Sequence, residues 1–265
     1  MGMGTLYAVA ALGGLGVVFG ALLAWAARVF AVEVNESVEK VQDVLPGANC
    51  GACGYPGCSN FAERVVAGEC EITACIPGGK DVCDEIAAIL GKESVEAISY
   101  TAVVLCAGDN TKTKDKYIYA GAEDCDLAHK MWDGFKSCKY GCLGLGTCVS
   151  SCPFNAISMS PEGLPVIDED ACTGCGMCEG SCPRNLIEII PQNYEGCLVF
   201  CKSLDRGKAV KEACSAGCIA CKACVKACTH GAITFENNIP SVDISICNNC
   251  GDCVLKCKPG GIHPR

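Results

Sequence analysis

The first hydrophobic feature of the chain is an uninterrupted apolar stretch near its beginning. Residues 5–27 are mostly Ala, Leu, Val and Gly, and the first charged side chain is Arg28. About 20 helical residues are enough to cross a bilayer, so this stretch predicts a single transmembrane helix closed by the interfacial pair Trp25 and Arg28. A cleaved signal peptide is the alternative, because residues 24–26 resemble a small-residue cleavage site. Against it, no basic residue precedes the stretch, which also exceeds the usual ~7–15 residues.

Beyond this stretch the apolar positions first follow a helical period. Apolar residues three or four apart predict a short stalk helix over residues 32–45, which Pro46 and Gly47 end. Two further helices are predicted over residues 59–68 and 81–90. In the rest of the chain the apolar segments become short and strand-like, at residues 156–159, 186–189 and 232–235. The pattern therefore predicts an α+β fold with helices first and small strands later.

Composition changes this picture, because 27 of the 265 residues are cysteine and only 6% are aromatic. So many thiols in a short secreted chain would suggest disulfides, but here they recur two or three residues apart, which suits a shared inorganic core. Zinc is the second alternative, since C-x2-C pairs also build four-thiolate zinc sites. Longer runs ending in C-x3-C are less typical of zinc, and only three histidines are present. The spacing therefore favours iron–sulfur clusters.

Four cysteine runs carry this argument. The runs are Cys138-x3-Cys142-x5-Cys148-x3-Cys152, Cys172-x2-Cys175-x2-Cys178-x3-Cys182, Cys218-x2-Cys221-x2-Cys224-x3-Cys228 and Cys247-x2-Cys250-x2-Cys253-x3-Cys257. In the ferredoxin pattern, three closely spaced thiolates hold one [4Fe–4S] cluster and the fourth ligates the neighbouring cluster. Such runs predict electron transfer.

The first run departs from the pattern, and a duplication explains how. Its cysteines lie 76 residues before those of a later copy, Cys214, Cys218, Cys224 and Cys228. At this offset Leu145 stands in the place of Cys221, so one ligand is missing and Cys138 is the predicted replacement. Both copies begin with a Val-x-Cys step, at Cys106 and Cys201, and the first copy has extra residues over 112–126. An internal duplication of a two-cluster unit accounts for these features.

Exchanged ligation then assigns four clusters. The predicted sets are Cys138, Cys142, Cys148 and Cys182; Cys172, Cys175, Cys178 and Cys152; Cys218, Cys221, Cys224 and Cys257; and Cys247, Cys250, Cys253 and Cys228. A fifth predicted cluster uses Cys50, Cys53, Cys58 and Cys75, whose neighbouring glycines allow the backbone to wrap closely. For this fifth site a structural zinc remains open, because the spacing is not that of bacterial ferredoxins.

Seven cysteines remain outside these sets. They are Cys70, Cys83, Cys106, Cys125, Cys197, Cys201 and Cys214. We interpret most of them as small buried hydrophobes, and a sixth cluster is the alternative. The predicted organisation is a transmembrane helix over residues 1–30, a small helical iron–sulfur domain over 31–98, and two tandem bacterial-type 2[4Fe–4S] ferredoxin modules over 99–196 and 197–265.

The whole chain resembles the B subunit of the Rnf complex, the membrane-bound ferredoxin:NAD+ oxidoreductase that pumps Na+ or H+. The resemblance is carried by the N-terminal helix, the block Asn49-Cys50-Gly51-Ala52-Cys53-Gly54-Tyr55-Pro56-Gly57-Cys58 with Cys75, and the ferredoxin-type runs. The chain departs from the family pattern at Leu145, which stands where a ligand is expected. It also departs at Thr229 and Lys258, where prolines usually follow the last cysteine. The resemblance implies a translocase component that takes low-potential electrons from soluble ferredoxin and passes them to membrane subunits.

Other features agree with a relay that has no complete active site. No G-x-G-x-x-G follows a predicted strand, so we expect no NAD site and no flavin in this chain. The expected partners are the other membrane and peripheral subunits, soluble ferredoxin and the lipid bilayer, with no nucleic acid. Reduced thiolates belong in a reducing compartment, which predicts a single-pass protein of the cell membrane with its bulk in the cytoplasm. A polyferredoxin subunit of another membrane reductase and a thiol-rich zinc-binding protein are the alternative functions.

Charge adds a direction for the electrons. Residues 31–196 carry 25 acidic and 11 basic side chains, whereas residues 197–265 carry 5 acidic and 9 basic. The last module is thus locally positive in a chain of net charge −9. The candidate docking residues for an acidic ferredoxin are Lys202, Lys208, Lys211, Lys222 and Lys226, with a solvated face as the plainer interpretation.

Overall fold

The computed structural model describes residues 2–30, 35–93, 96 and 98–265. Its first element, α1 (Met3–Val29), confirms the helix predicted over residues 5–27 and carries Arg28 in its last turn. Among the described helices, only this one is long and apolar enough to cross a membrane, and none of its segment Ala10–Val29 is buried against the rest of the protein. The apolar surface of α1 is therefore not part of the protein's own core.

A small helical unit follows. It contains α2 (Glu36–Val44), α3 (Cys58–Val66), α4 (Gly79–Leu90) and two 3-10 helices at Ile72–Ala74 and Ile76–Gly78. The side chain of Asn35 caps α2 by accepting a hydrogen bond from the Ser37 amide at 3.0 Å. The apolar faces enclose the fully buried side chains Val41, Phe61, Val65 and Ile86. This unit therefore has an aliphatic and aromatic core of its own.

The helices predicted over residues 59–68 and 81–90 are confirmed by α3 and α4. The stalk helix predicted over residues 32–45 is observed as α2, which starts at Glu36. Residues 32–34 of that prediction lie outside the described residues.

The remaining chain forms two halves with the same strand arrangement. The first half contains β1 (Tyr100–Val104), α5 (Cys125–Lys130), α6 (Thr147–Ser150), β2 (Ile157–Met159), β3 (Pro165–Ile167), α7 (Met177–Ser181) and β4 (Ile187–Pro191). The second contains β5 (Cys197–Val199), α8 (Gly207–Ala213), α9 (Ala223–Ala227), β6 (Ile233–Glu236), β7 (Ile239–Val242), α10 (Asp252–Lys256) and β8 (Ile262–Pro264). In each half the first strand pairs antiparallel with the last, and the two middle strands form a hairpin.

The three strands predicted from the apolar segments are confirmed as β2, β4 and β6. Thiols take much of the interior beneath them. In the main buried cluster of the second half, four of the seven buried residues are cysteines, namely Cys197, Cys201, Cys224 and Cys253. Polarisable thiols that can bind metal therefore share this interior with aliphatic side chains.

The two halves pack directly against each other. A small apolar cluster joins Leu105 and Ile190 of the first half to Leu198 of the second. Backbone hydrogen bonds cross the same boundary, from the Ala107 amide to the Phe200 carbonyl at 2.9 Å and from the Ser215 amide to the Lys112 carbonyl at 2.9 Å. Loops that carry cysteines from both halves are therefore brought side by side.

Candidate metal centres

The predicted ligands of the helical unit form one group. Cys50 and Cys53 lie on the loop before α3, Cys58 is the first residue of α3, and Cys75 lies between the two 3-10 helices. The Asn49 side chain accepts a hydrogen bond from the Cys58 amide at 2.8 Å and so closes the loop. Burial raises the pKa of Cys75 to about 11, and negative charge on Cys58, Cys53 and Cys50 raises it further. All four thiols are thus close enough to interact electrostatically.

A second predicted group, Cys152, Cys172, Cys175 and Cys178, lies between β1 and α7. Burial raises the pKa of Cys178 to about 12, with further contributions from the charges of Cys172 and Cys175. Burial also raises the pKa of Cys175, on which Cys50 and Cys152 act as well. These four thiols therefore lie close together, and Tyr100 beside them lines a cavity with Cys53 and Cys75 of the first group.

Backbone amides and a glycine shape this second group. The Ala102 amide donates to Cys172 Sγ and the Ala156 amide to Cys152 Sγ, both at 3.4 Å. Hydrogen bonds of this kind tune iron–sulfur thiolates. Gly174 has a φ of 66°, and a Cβ there would approach the Tyr100 carbonyl oxygen to 2.8 Å. Glycine is required at this position for both conformation and space.

The third group differs from the predicted one. Cys142, Cys148 and Cys182 line a cavity as predicted, but the fourth thiol in its wall is Cys125. Burial raises the pKa of Cys148 to about 11, and the nearby charges of Cys125 and Cys182 act in the same direction. The Cys125 amide donates to Thr147 Oγ1 at 2.7 Å, which fixes α5 against α6. The geometry thus favours Cys125 over the predicted Cys138 in this set.

The position of Cys138 explains the difference. Its thiol lines a separate cavity together with Cys106, Cys201 and Cys214. A signal for Cys125 was present in the sequence, because the copy that lacks a ligand at Leu145 also carries the extra segment 112–126, which includes Cys125. The copy that has Leu145 in place of a cysteine therefore has an additional cysteine in the wall of the cavity lined by Cys142, Cys148 and Cys182.

Arg184 holds the loop between these two cavities. Its buried guanidinium donates hydrogen bonds to the carbonyls of Cys138 (2.9 Å), Gly141 and Asp133. Burial lowers the pKa of Arg184. Because a guanidinium presents several donors in a fixed plane, this one side chain fixes the backbone at Cys138 and at Gly141, the residue before Cys142.

The last two predicted groups are brought together as expected. One cavity is lined by Cys218, Cys221, Cys224 and Cys257, and another by Cys228, Cys247, Cys250 and Cys253. Cys197 shares the second cavity, and its thiol donates to Asn249 Oδ1 at 3.6 Å. Cys221 and Cys250 are exposed, so each of these groups has one thiol at the protein surface.

The thiols stand around these cavities without converging on a point. Among the described residues, no three His, Cys, Asp or Glu side chains are placed to hold a single metal ion. The donor sets of four thiols lining each cavity fit [4Fe–4S] clusters, whose irons each take one cysteine thiolate.

In each ferredoxin-like loop, the residue at the central ligand position is flanked by two residues whose backbone is in the left-handed conformation. Gly174 and Gly176 flank Cys175, Gly144 and Gly146 flank Leu145, and Asn249 and Gly251 flank Cys250, all at positive φ. In the Cys218 loop the flanking residues are Ala220 (φ 58°) and Lys222 (φ 59°). A left-handed conformation costs about 1–2 kcal/mol for residues with a Cβ, so this loop is strained where the others contain glycine or asparagine.

We therefore expect Ala220→Gly to stabilise the Cys218 loop by up to about 1 kcal/mol, after the entropy of glycine is subtracted. The matched control is Ala223→Gly, at an equally half-buried position with helical backbone in α9. It should destabilise by up to about 1 kcal/mol. The temperature at which visible absorbance is lost measures the stability of both variants. Equal destabilisation by the two variants would show that the backbone at Ala220 is not strained.

The candidate docking lysines fall into two kinds. Lys202 pairs with Glu188, and Lys208 lies 3.6 Å from Glu212, so their charges are partly neutralised. Lys222 and Lys226 are exposed and follow the exposed thiol of Cys221. The Lys222 ammonium lies 4.6 Å from the Phe235 ring centre. Lys211 is exposed on α8.

Known iron–sulfur families match two segments of the chain that carry thiol groups. Residues 45–77 match the family described as "Putative Fe-S cluster", and residues 137–186 match the 4Fe-4S dicluster domain. The chain is 43% identical to the B subunit of the ion-translocating oxidoreductase complex of Methanosarcina acetivorans, over 97% of both chains. It is 44% identical to the B subunit of the proton-translocating ferredoxin:NAD(+) oxidoreductase complex of Clostridium ljungdahlii, over 94% of this chain and 88% of that one.

A third relative is the B subunit of the Na(+)-translocating ferredoxin:NAD(+) oxidoreductase complex of Acetobacterium woodii, 43% identical over 93% of this chain and 74% of its own. The fold and its thiol-lined cavities define an iron–sulfur protein with several centres. Within that class, the chain belongs to the family of B subunits of ion-translocating oxidoreductase complexes. The resemblance found in the sequence is confirmed.

Proposed function

We propose that this chain is the electron-relay subunit of a membrane-bound, ion-pumping ferredoxin:NAD+ oxidoreductase. It accepts low-potential electrons from reduced ferredoxin and passes them one at a time to membrane subunits. The [4Fe–4S] clusters that these thiol groups would hold would supply one-electron redox chemistry, in which no bond is formed or broken. The relatives named for this activity support the proposal, and the chain contributes to the enzyme without an active site of its own.

The observation that carries the proposal is the continuity of the thiol groups. Cys148 and Cys182 pack in the same cluster as Cys172 and Cys178. Cys53 and Cys75 line a cavity together with Tyr100, which lies against Gly174, the residue before Cys175. The Cys142, Cys172 and Cys50 groups are thus successive neighbours. The Cys50 group follows α1 and α2 in the chain, so the series ends in the unit that is joined to the proposed membrane anchor.

The proposed ligand sets are the five thiol groups described above, in two tandem ferredoxin modules and the helical domain. Cys125 takes the place that the sequence assigned to Cys138. We also propose that α1 is a single membrane span and that the remaining domains lie in the cytoplasm, since thiolate-bound clusters need a reducing compartment.

The proposed docking surface for ferredoxin consists of Lys222 and Lys226. Both are exposed, neither has an ion-pair partner in the described part of the chain, and the exposed Cys221 precedes them in the same loop. An acidic partner would be steered towards this end of the series.

The test is to purify the complex anaerobically and add chemically reduced ferredoxin. We expect a broad visible absorbance that ferredoxin bleaches, followed by reduction of NAD+ by the complete complex. A colourless protein with one zinc per four thiols would overturn the iron–sulfur assignment. Bleaching by ferredoxin without NAD+ reduction, together with different co-purifying membrane subunits, would instead favour a polyferredoxin of another membrane reductase.

A further inference from the structure

Four cysteines outside the five groups gather in one cavity between the two halves. Its wall contains Cys106, Cys138, Cys201 and Cys214, together with Gly108, Thr113, Gly141 and Phe200. Cys106 interacts electrostatically with Cys138 and Cys201, and Cys138 also acts on Cys201 and Cys214. Three of the four thiols are buried, and Cys138 is half-buried. Four mutually close, largely buried thiols are far more than the packing of small hydrophobes requires.

The duplication places these thiols in matched pairs. Cys138 and Cys214 are equivalent at the offset of 76 residues, and Cys106 and Cys201 are the equivalent residues of the two Val-x-Cys steps. Each half therefore contributes the same pair of thiols to one shared cavity. The two equivalent halves thus form one four-thiol site where they meet.

The backbone around the cavity is directed at the sulfurs. The Cys142 amide donates to Cys106 Sγ at 3.4 Å, and the Cys218 amide donates to Cys201 Sγ at 3.3 Å. A second amide, from Ser203, reaches Cys201 Sγ at 3.5 Å. Amide hydrogen bonds to cysteine sulfur are characteristic of thiolates that hold an iron–sulfur cluster.

Two glycines form walls of the cavity at close range to the sulfurs. A Cβ on Gly108 would come within 3.0 Å of Cys214 Sγ, and a Cβ on Gly141 within 3.3 Å of Cys138 Sγ. The loops carrying these glycines are fixed by a backbone bridge between Thr113 and Cys214 and by Arg184, which binds the Cys138 and Gly141 carbonyls. The thiols are therefore held in place by both halves of the protein.

From this geometry we infer that Cys106, Cys138, Cys201 and Cys214 bind a sixth [4Fe–4S] cluster at the boundary between the two halves. The presence of the cluster follows from the thiols alone, whereas its role rests on the proposed function. The four thiols lie next to two of the other groups, because Cys106 Sγ accepts a hydrogen bond from the Cys142 amide and Cys201 Sγ accepts one from the Cys218 amide. A cluster held by these four thiols would supply a one-electron redox centre between the Cys218 group and the Cys142 group, and the series of groups would then be continuous.

The experiment compares the wild-type chain with Cys138→Ser/Cys214→Ser, which removes one thiol from each half. Iron and acid-labile sulfide should each fall by about four atoms per chain, the content of one cubane cluster. The matched control is Cys70→Ser, a half-buried thiol of the helical unit outside every group, and it should change neither value. Unchanged iron and sulfide in the double variant would overturn the sixth cluster.

A second measurement does not depend on the variant folding. Native mass spectrometry of the anaerobic wild-type chain should give a mass corresponding to six clusters, about 24 iron atoms. A mass corresponding to five clusters would refute the inference, as would five clusters plus one zinc ion or two disulfides. These results are separable from the proposed function: six clusters that ferredoxin cannot reduce would refute the function, and five clusters that it reduces would refute only this site.

Discussion

Complete removal of iron and sulfide should unfold residues 99–265 while leaving the helical unit partly folded. The reason is the composition of the two interiors. Cysteines make up eight of the fifteen residues in the main packed cluster of the second half and five of the twelve in that of the first half, whereas the helical unit buries Phe61, Ile86, Val41 and Val65. Net folding stability of a domain is only about 5–15 kcal/mol, so we expect a region in which metal-binding thiols form so much of the packing to unfold when the metal is removed.

Limited proteolysis combined with circular dichroism measures this difference. After treatment with a strong iron chelator under reducing conditions, cleavage should spread through residues 99–265, and residues 36–91 should be the most persistent fragment. The control is the same incubation without chelator, which should leave the cleavage pattern of the holoprotein. A protein that keeps cooperative unfolding of residues 99–265 after all iron is lost would show that its hydrophobic clusters are sufficient.

Local features of the fold were predictable because they depend on neighbouring residues. The helices α3 and α4 follow from apolar spacing, and β2, β4 and β6 are apolar segments that follow cysteine runs. The closing strand β8 (Ile262–Pro264) has too few residues to give a periodic pattern. The pairing of β1 with β4 joins residues far apart in the chain, and no local rule specifies such a contact.

For the thiols too, groups set by local spacing were predictable, and groups set by contacts between distant segments were not. The groups of Cys218 and Cys247 follow from regular spacing and exchanged ligation, and the structure brings their members together. Cys125 and Cys106 are separated from the other thiols of their cavities by irregular segments, so spacing alone could not place them there. Comparing the two copies identified Leu145 as the position without a ligand. It favoured Cys138, the nearer thiol in sequence, whereas Cys125 is the thiol that shares a cavity with Cys142, Cys148 and Cys182.

The neighbour relations of the groups give the series a physical order. From the exposed thiol of Cys221 inwards, the Cys218 group adjoins the cavity of Cys106 and Cys201, which adjoins the Cys142 group. The Cys172 group packs in the same cluster as Cys148 and Cys182, and Tyr100 lies between Gly174 and the cavity of Cys53 and Cys75. The most basic part of the chain lies at the Cys221 end of this series. We therefore predict that its positive charge affects the rate of reduction by ferredoxin.

Reversing both docking lysines, in Lys222→Glu/Lys226→Glu, should slow reduction by ferredoxin by about 10-fold or more at low salt. Electrostatic steering raises association rates by roughly 10–1,000-fold, and these two ammonium groups follow the exposed Cys221 thiol. Stopped-flow bleaching of the visible absorbance measures the rate. Raising ionic strength should slow the wild-type protein and bring the two rates together, because the screening length falls from about 10 Å at 0.1 M to about 3 Å at 1 M.

The charge-matched control is Lys92→Glu/Lys130→Glu, which makes the same change in net charge at exposed positions outside the last module. It should retain most of the wild-type rate, since steering depends on where the charge lies as well as on its sum. Iron content should be equal in all three proteins, so a lower rate cannot arise from lost clusters. Equal slowing by both double variants would show that net charge alone sets the rate. A wild-type rate that does not depend on salt would show that this surface does not steer ferredoxin electrostatically.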